Sequence, residues 1–230
     1  MKVILFGASG MVGQGVLREC LLDNGVSAVL SLVRRPGLTV HPKLHELVCA
    51  DFHDYRPLES QLAGYEACFF CLGVSSGGMD EARYRRLSYE LTLAAAQTLA
   101  RLNPQMVFVY VSGMGTDSSE RGASMWARVK GATENALLRL PFAATYLFRP
   151  AGIRPLHGIR SKTPAYYWGY VLMAPLLPLL QRWAPGLMTS TEEVGRAMLR
   201  VVRERPARPI LEARDIAALG RGEPLPAARS

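Results

Sequence analysis

Lys2-Val-Ile-Leu-Phe-Gly7-Ala-Ser9-Gly10-Met11-Val-Gly13 is the stretch on which the reading of this chain turns. The apolar run at residues 3–6 has the length of a strand buried on both faces. It leads straight into three glycines spaced three apart, and a helix-forming pattern follows. That order builds an anion site from backbone alone. The first glycine permits a turn that a side chain would hinder. The next helix then aims its unpaired N–H groups, and the positive end of its dipole, at whatever anion lies there. The usual ligand of such a strand–turn–helix is the pyrophosphate of a dinucleotide. Gly7, Gly10 and Gly13 would form its loop, with Ser9 and Met11 adding backbone donors. A tight strand-to-helix turn without a ligand is the alternative.

Outward from this motif, strand-like apolar runs alternate with helical patterns. A helix over residues 11–22 places Val12, Val16, Leu17 and Cys20 on one face and stops at Asp23-Asn24-Gly25. Strands are expected at 28–33, 46–49, 67–72, 106–111 and 144–148. Between them lie a short helix at 58–62, a long one over 80–102 and another over 124–140. Near-continuous apolar strands alternating with helices predict a doubly wound α/β fold, a parallel sheet with helices on both faces. Beyond residue 150 the pattern changes. A small C-terminal lid is expected over 151–220, with a helix at 191–203 capped by Thr191, a last strand at 209–212 and a frayed tail over 221–230. The whole is read as a single domain with its core in residues 1–150.

Composition narrows the function classes. Residues of the apolar set make up 49% of the 230 positions and charged residues 20%, as in an ordinary globular protein. The net charge is +8, but its arginines are scattered, and no basic run interleaves with aromatics. A solvated basic surface that helps anions approach is favoured over nucleic-acid binding. Cys20, Cys49, Cys68 and Cys71 fall in or beside core elements. Cys68 and Cys71 lack a second pair or a histidine cluster, so buried thiols are expected rather than a metal or redox site. With residues 3–6 already part of the core, no secretory signal is read, and a cytoplasmic protein is expected. The apolar stretch 166–183 is interrupted by Gly169, Pro175 and Pro178. A surface helix resting on a membrane, a dimer contact or a cover over the substrate pocket all fit it better than a span.

The end of the second strand bears on which dinucleotide is bound. An acid there would take hydrogen bonds from a ribose 2′-OH. The chain instead has Arg34-Arg35, and no acid between Asp23 and Glu46. Two guanidiniums suit a 2′-phosphate, so NADP is expected over NAD. An exposed basic turn before Pro36-Gly37 is the alternative.

The Gly-x-x-Gly-x-x-Gly spacing, Cys71-Leu72-Gly73, the Val-Ser-Gly-Met-Gly run at 111–115 and Val129-Lys130-Gly131 together resemble the short-chain dehydrogenase/reductase superfamily. The likeness is to its small atypical members, similar to the Tat-interacting-protein oxidoreductases and to bacterial epimerase-like proteins, and covers roughly residues 1–215. It implies a Rossmann fold that binds NADP(H). It also implies that Asp51 and Phe52 lie by the adenine, that Cys71, Leu72 and Gly73 pass beneath the ribose, and that Pro150 lies near the nicotinamide. The family's reaction uses a serine, matched by Ser112, and a lysine, matched by Lys130, which also binds the nicotinamide ribose. Its tyrosine, one helical turn before the lysine, falls on Trp126. An indole N–H donates but does not titrate, so it cannot shuttle a proton. A shifted register, with Trp126 only a packing residue, is one alternative. Two further readings stay open. One is a reductase-like or epimerase-like oxidoreductase of altered chemistry on an unknown small molecule, with its acid drawn from Tyr166, Tyr167, His157 or a water. The other is a non-catalytic NADP(H) sensor or adaptor.

Overall fold

The computed structural model describes residues 1–37, 39–159 and 188–227. Its centre is a seven-stranded sheet in which every neighbouring pair is parallel. The strands are β1 (Lys2–Phe6), β2 (Ala28–Val33), β3 (Leu44–Val48), β4 (Ala67–Phe70), β5 (Val107–Val111), β6 (Ala144–Arg149) and β9 (Ile210–Glu212), in the order β3-β2-β1-β4-β5-β6-β9. Two further strands, β7 (Gly152–Arg154) and β8 (Met188–Ser190), pair with each other alone.

The pleat sorts the core into two layers, because successive side chains point to opposite faces. Val3, Leu5, Phe69, Val109 and Phe148 meet α1 (Met11–Leu22), α6 (Thr191–Glu204) and α7 (Ala213–Gly220) on one face. Ile4, Phe6, Phe70, Phe108 and Leu147 meet α2 (Glu59–Leu62), α4 (Leu91–Leu102) and α5 (Met125–Leu138) on the other. The expected doubly wound sheet with both faces covered is therefore the fold observed.

Details differ where local patterns are weakest. The stretch read as one helix over 80–102 is α3 (Glu81–Arg85), a π-helical turn at Arg86–Glu90, and α4. Periodicity does not expose such a change of hydrogen-bonding register. The cap of α6 is Ser190 rather than Thr191, in a reciprocal capping box with Glu193. The expected lid over 151–220 divides. Residues 160–187, including the apolar stretch 166–183 and Tyr166 and Tyr167, lie outside the described residues. Residues 188–220 do not stand apart: β9 extends the central sheet beside β6, and α6 packs on α1. The α1–α6 approach is close because Gly15 and Gly195 face it. A Cβ on Gly15 would stand 2.6 Å from Thr191, and one on Gly195 2.7 Å from Glu19.

Candidate functional site

Because all seven strands run parallel, every loop leaving a strand's carboxyl end emerges at one edge. The strand order reverses between β1 and β4, and a crevice opens at such a switch point. Gly7 sits at the end of β1 with a φ of +80°. A Cβ there would lie 2.8 Å from the backbone of Cys71 and Leu72, so the strand-end loops of β1 and β4 touch only because Gly7 is bare. The Cys71 N–H donates to Phe6 O at 3.0 Å. Gly10 N–H donates to Gly7 O at 2.9 Å and closes the turn. A Cβ on Gly13 would stand 2.0 Å from Gly7 O, so α1 starts in direct contact with the turn. Gly10 caps α1 without a side-chain hydrogen bond, and no acid occupies the first helical turn. The positive helix end is thus not offset by an acid of its own first turn.

The other residues expected at a dinucleotide are distributed along the same edge. Arg34 and Arg35 follow β2, exposed, and neither meets a carboxylate among the described residues. Their turn is fastened by Gly37 N–H, which donates to Glu46 Oε2 at 2.7 Å. Asp51 follows β3 and is exposed. Its Oδ1 accepts the His53 N–H at 2.8 Å, the loop-capping role that a short acid commonly takes. Phe52 is half-buried, edge-on to Phe6 at 6.3 Å between centroids. Leu72 is half-buried and Gly73 exposed, with open space where its Cβ would be. Burial pushes the Cys68 and Cys71 thiols up, so both stay protonated, and neither is disulfide-bonded. Pro150 is buried; its carbonyl accepts the Met114 N–H at 2.9 Å. It thus ties the loop after β5 to the end of β6.

Ser112 ends β5. Its Oγ lies 2.8 Å from Thr116 Oγ1, and Thr116 Oγ1 donates to Gly113 O at 2.7 Å. Lys130, on α5, holds its Nζ 3.4 Å from both Tyr110 Oη and Val111 O, and 5.1 Å from the Tyr110 ring centroid. Tyr110 is only 2% exposed, so its phenol supports the lysine and does not face a ligand. Burial, with the Glu134 charge second, pushes that phenol up and keeps it neutral. Trp126 lies half-buried on the same helix. Its ring is 3.9 Å from where a Gly113 Cβ would be and 3.6 Å from where a Gly115 Cβ would be. The indole thus lies against the loop after β5 at ordinary contact distance.

His157, one of the acids considered, pairs its Nε2 with Glu192 Oε2 at 2.7 Å. Glu192 also meets Arg196 at 2.7 Å, and the His157 hydrogen bond leads in holding its carboxyl low. Among the described residues no cluster of acid, histidine or cysteine side chains could hold a metal ion, and no helix is long and apolar enough to cross a membrane.

Sequence reasoning missed Thr116, Tyr110 and the packing role of Gly131. The last of these fixes where the loop after β5 crosses α5: a Cβ on Gly131 would stand 1.8 Å from Asp117 O. Only the neighbouring Lys130 and Ser112 drew notice to these stretches.

No family model matches the chain. Among curated proteins, the chain is 24% identical to the mitochondrial protein FMP52 of Chaetomium globosum, over 96% of this chain and 97% of that one. It is 28% identical to the protein HTATIP2 of Rattus norvegicus, over 86% of this chain and 79% of that one. Among solved structures it superposes on the enzyme WbmF of Bordetella bronchiseptica, in complex with NAD+, with a TM-score of 0.65 and 17% identity, covering 96% of this chain and 76% of that one. The expectation of a cytoplasmic protein does not stand. FMP52 proteins of several fungi, that of Chaetomium globosum among them, are named mitochondrial.

Proposed function

From the chain's membership of the atypical short-chain dehydrogenase/reductase superfamily, we propose that it binds NADP(H) and acts as a reductase-like or epimerase-like oxidoreductase of altered chemistry. The observation that carries the reading is the bare turn at the start of α1. Gly7 and Gly13 let the turn fold directly against its own backbone and the loop after β4, and the helix end has neither a side-chain cap nor an acid in its first turn. That is the cradle a pyrophosphate requires. Arg34 and Arg35, exposed at the end of the neighbouring strand and meeting no carboxylate among the described residues, supply charge and forked donors for a 2′-phosphate. The match to a structure solved with NAD+ supports a nicotinamide coenzyme in general, and the arginine pair supports the phosphorylated form.

In this reading Asp51 and Phe52 border the adenine, Cys71 to Gly73 lie beneath the ribose, and Pro150 lies near the nicotinamide. Lys130 holds the nicotinamide ribose, and the coenzyme supplies hydride chemistry when bound. Ser112 faces the substrate. Trp126 takes the place of the family's tyrosine and walls the pocket without a titratable proton. The proton must then come from another group or from water.

Calorimetry with NADPH and NADH tests the coenzyme. NADPH is expected to bind more tightly, and replacement of both Arg34 and Arg35 by alanine to erase the difference. Tighter binding of NADH by the unaltered protein overturns the preference, and no heat from either overturns the site. Turnover of an aldehyde, ketone and quinone panel, abolished by Lys130→Ala, separates an enzyme from a sensor.

A further inference from the structure

The hydroxyls after β5 can be assigned a direction. Two close oxygen pairs are present: Ser112 Oγ with Thr116 Oγ1 at 2.8 Å, and Thr116 Oγ1 with Gly113 O at 2.7 Å. At such separations each pair needs a proton between its oxygens. Two protons are available, one on each hydroxyl. Gly113 O is a carbonyl and can only accept, so the Thr116 proton goes there. The Ser112 proton is then the one left for Thr116. The relay runs from Ser112 to Thr116 to Gly113 O, and it has one solution. Both side chains are largely buried, Ser112 at 8% and Thr116 at 7% exposure, so water competes little for these protons. The Ser112 N–H is also committed, donating to Phe148 O at 2.7 Å.

We propose that Ser112, oriented by Thr116, meets its ligand as a hydrogen-bond acceptor, so that this subsite takes a hydroxyl group in preference to a carbonyl. The inference rests on the reading above only in placing Ser112 on the substrate side. Its own content is the polarity. A serine whose proton is already given away offers lone pairs outward. A carbonyl oxygen brought to it would set acceptor against acceptor, whereas an alcohol can donate. The groups nearby fit the same division of labour: the Lys130 ammonium and the Trp126 indole N–H are donors only. An alcohol oxygen that donates to Ser112 still has lone pairs for such a donor. Thr116 is a positioning residue here, since it acts through Ser112.

The test compares two probes of nearly equal shape, cyclohexanol and cyclohexanone, by ligand-observed nuclear magnetic resonance titration, with and without saturating NADP+. The alcohol is expected to bind about three- to tenfold more tightly than the ketone, the range one hydrogen bond supplies. Thr116→Val removes the oxygen that takes the serine's proton and frees that proton for a ligand. It is expected to erase or reverse the order of the pair. Thr116→Ser keeps the oxygen and is expected to restore the order of the unaltered protein. A loss of packing alone would weaken both probes alike. Equal affinities, no binding of either probe, or an order unchanged in Thr116→Val overturns the proposal. Failure of NADP+ to bind in the same samples overturns the coenzyme reading instead, and leaves the order of the two probes to decide the polarity.

Discussion

Asp117 organises the loop between β5 and α5 through one carboxylate. Its Oδ1 accepts from the Ser119 N–H at 3.0 Å and the Ser119 hydroxyl at 2.6 Å. Its Oδ2 accepts from the N–H groups of Arg121 at 3.0 Å and Gly122 at 2.6 Å. The Ser119 hydroxyl leads, with the Gly122 N–H next, in holding the carboxyl down at about 2. An unfolded chain takes up this proton at an ordinary carboxylate pH, while the folded chain does not. The contribution to stability is therefore fully present above the ordinary range and is lost as pH falls towards about 2. Asp117→Asn is expected to flatten the acid limb of a melting-temperature profile between about pH 4 and pH 2, with little change at neutral pH beyond the lost charged acceptor. An acid limb as steep as that of the unaltered protein would show that the carboxylate does not anchor this loop. Neither Asp117 nor Thr116 is legible as a functional position in the sequence. Hydrogen bonds that bend a loop back on itself leave no periodicity to read.

At the scale of elements, α5 is joined to the sheet by an ion pair across their packed faces. Arg149, from the end of β6, donates Nε to both carboxylate oxygens of Glu134 at 3.0 and 3.2 Å, and its Nη2 also meets Glu134. The same guanidinium reaches Glu212 at 3.3 Å, at the start of α7, and Ser118 at 2.6 Å, in the loop before α5. The Glu134 side chain is 1% exposed and that of Arg149 11%. A buried pair of this kind adds little over an apolar contact of equal shape, but loss of one partner strands the other. Glu134→Ala is expected to cost about 3 kcal/mol in denaturant unfolding, at the low end for a buried pair because Glu212 and Ser118 still hold the arginine. Glu134→Gln, which keeps the shape and an acceptor, should cost less. Equal and small losses in both variants would mean that Arg149 relaxes into water. The sequence drew attention to the adjoining Pro150 as a coenzyme neighbour. The structure uses the arginine to fasten α5, β6 and α7 together, and only the long-range fold brings Glu134 to it.

Over the whole molecule, the sheet and its two layers were legible because buried parallel strands write themselves as apolar runs, and Gly7 to Gly13 mark where the first one turns. The parts that stayed hidden include those set by contacts distant in sequence: β7 with β8, and the crossing of α1 and α6 at Gly15 and Gly195. The same parallel order gives the candidate site its thermodynamic signature. A ligand held at the junction of β1 and β4 touches loops from several strands, so it binds the folded chain alone and stabilises it by mass action. NADPH at a hundred times its dissociation constant is expected to add about 2.7 kcal/mol, a rise of roughly 5–10 °C in the melting temperature of a chain this size. Gly7→Ala probes the junction directly. Its Cβ would enter the Cys71–Leu72 backbone from a residue at positive φ, so the variant should melt lower even without ligand. It should also lose most of the NADPH increment, because the displaced turn no longer meets the pyrophosphate. A variant that melts lower yet keeps the full increment would separate the turn from the coenzyme and leave Gly7 with a purely structural task.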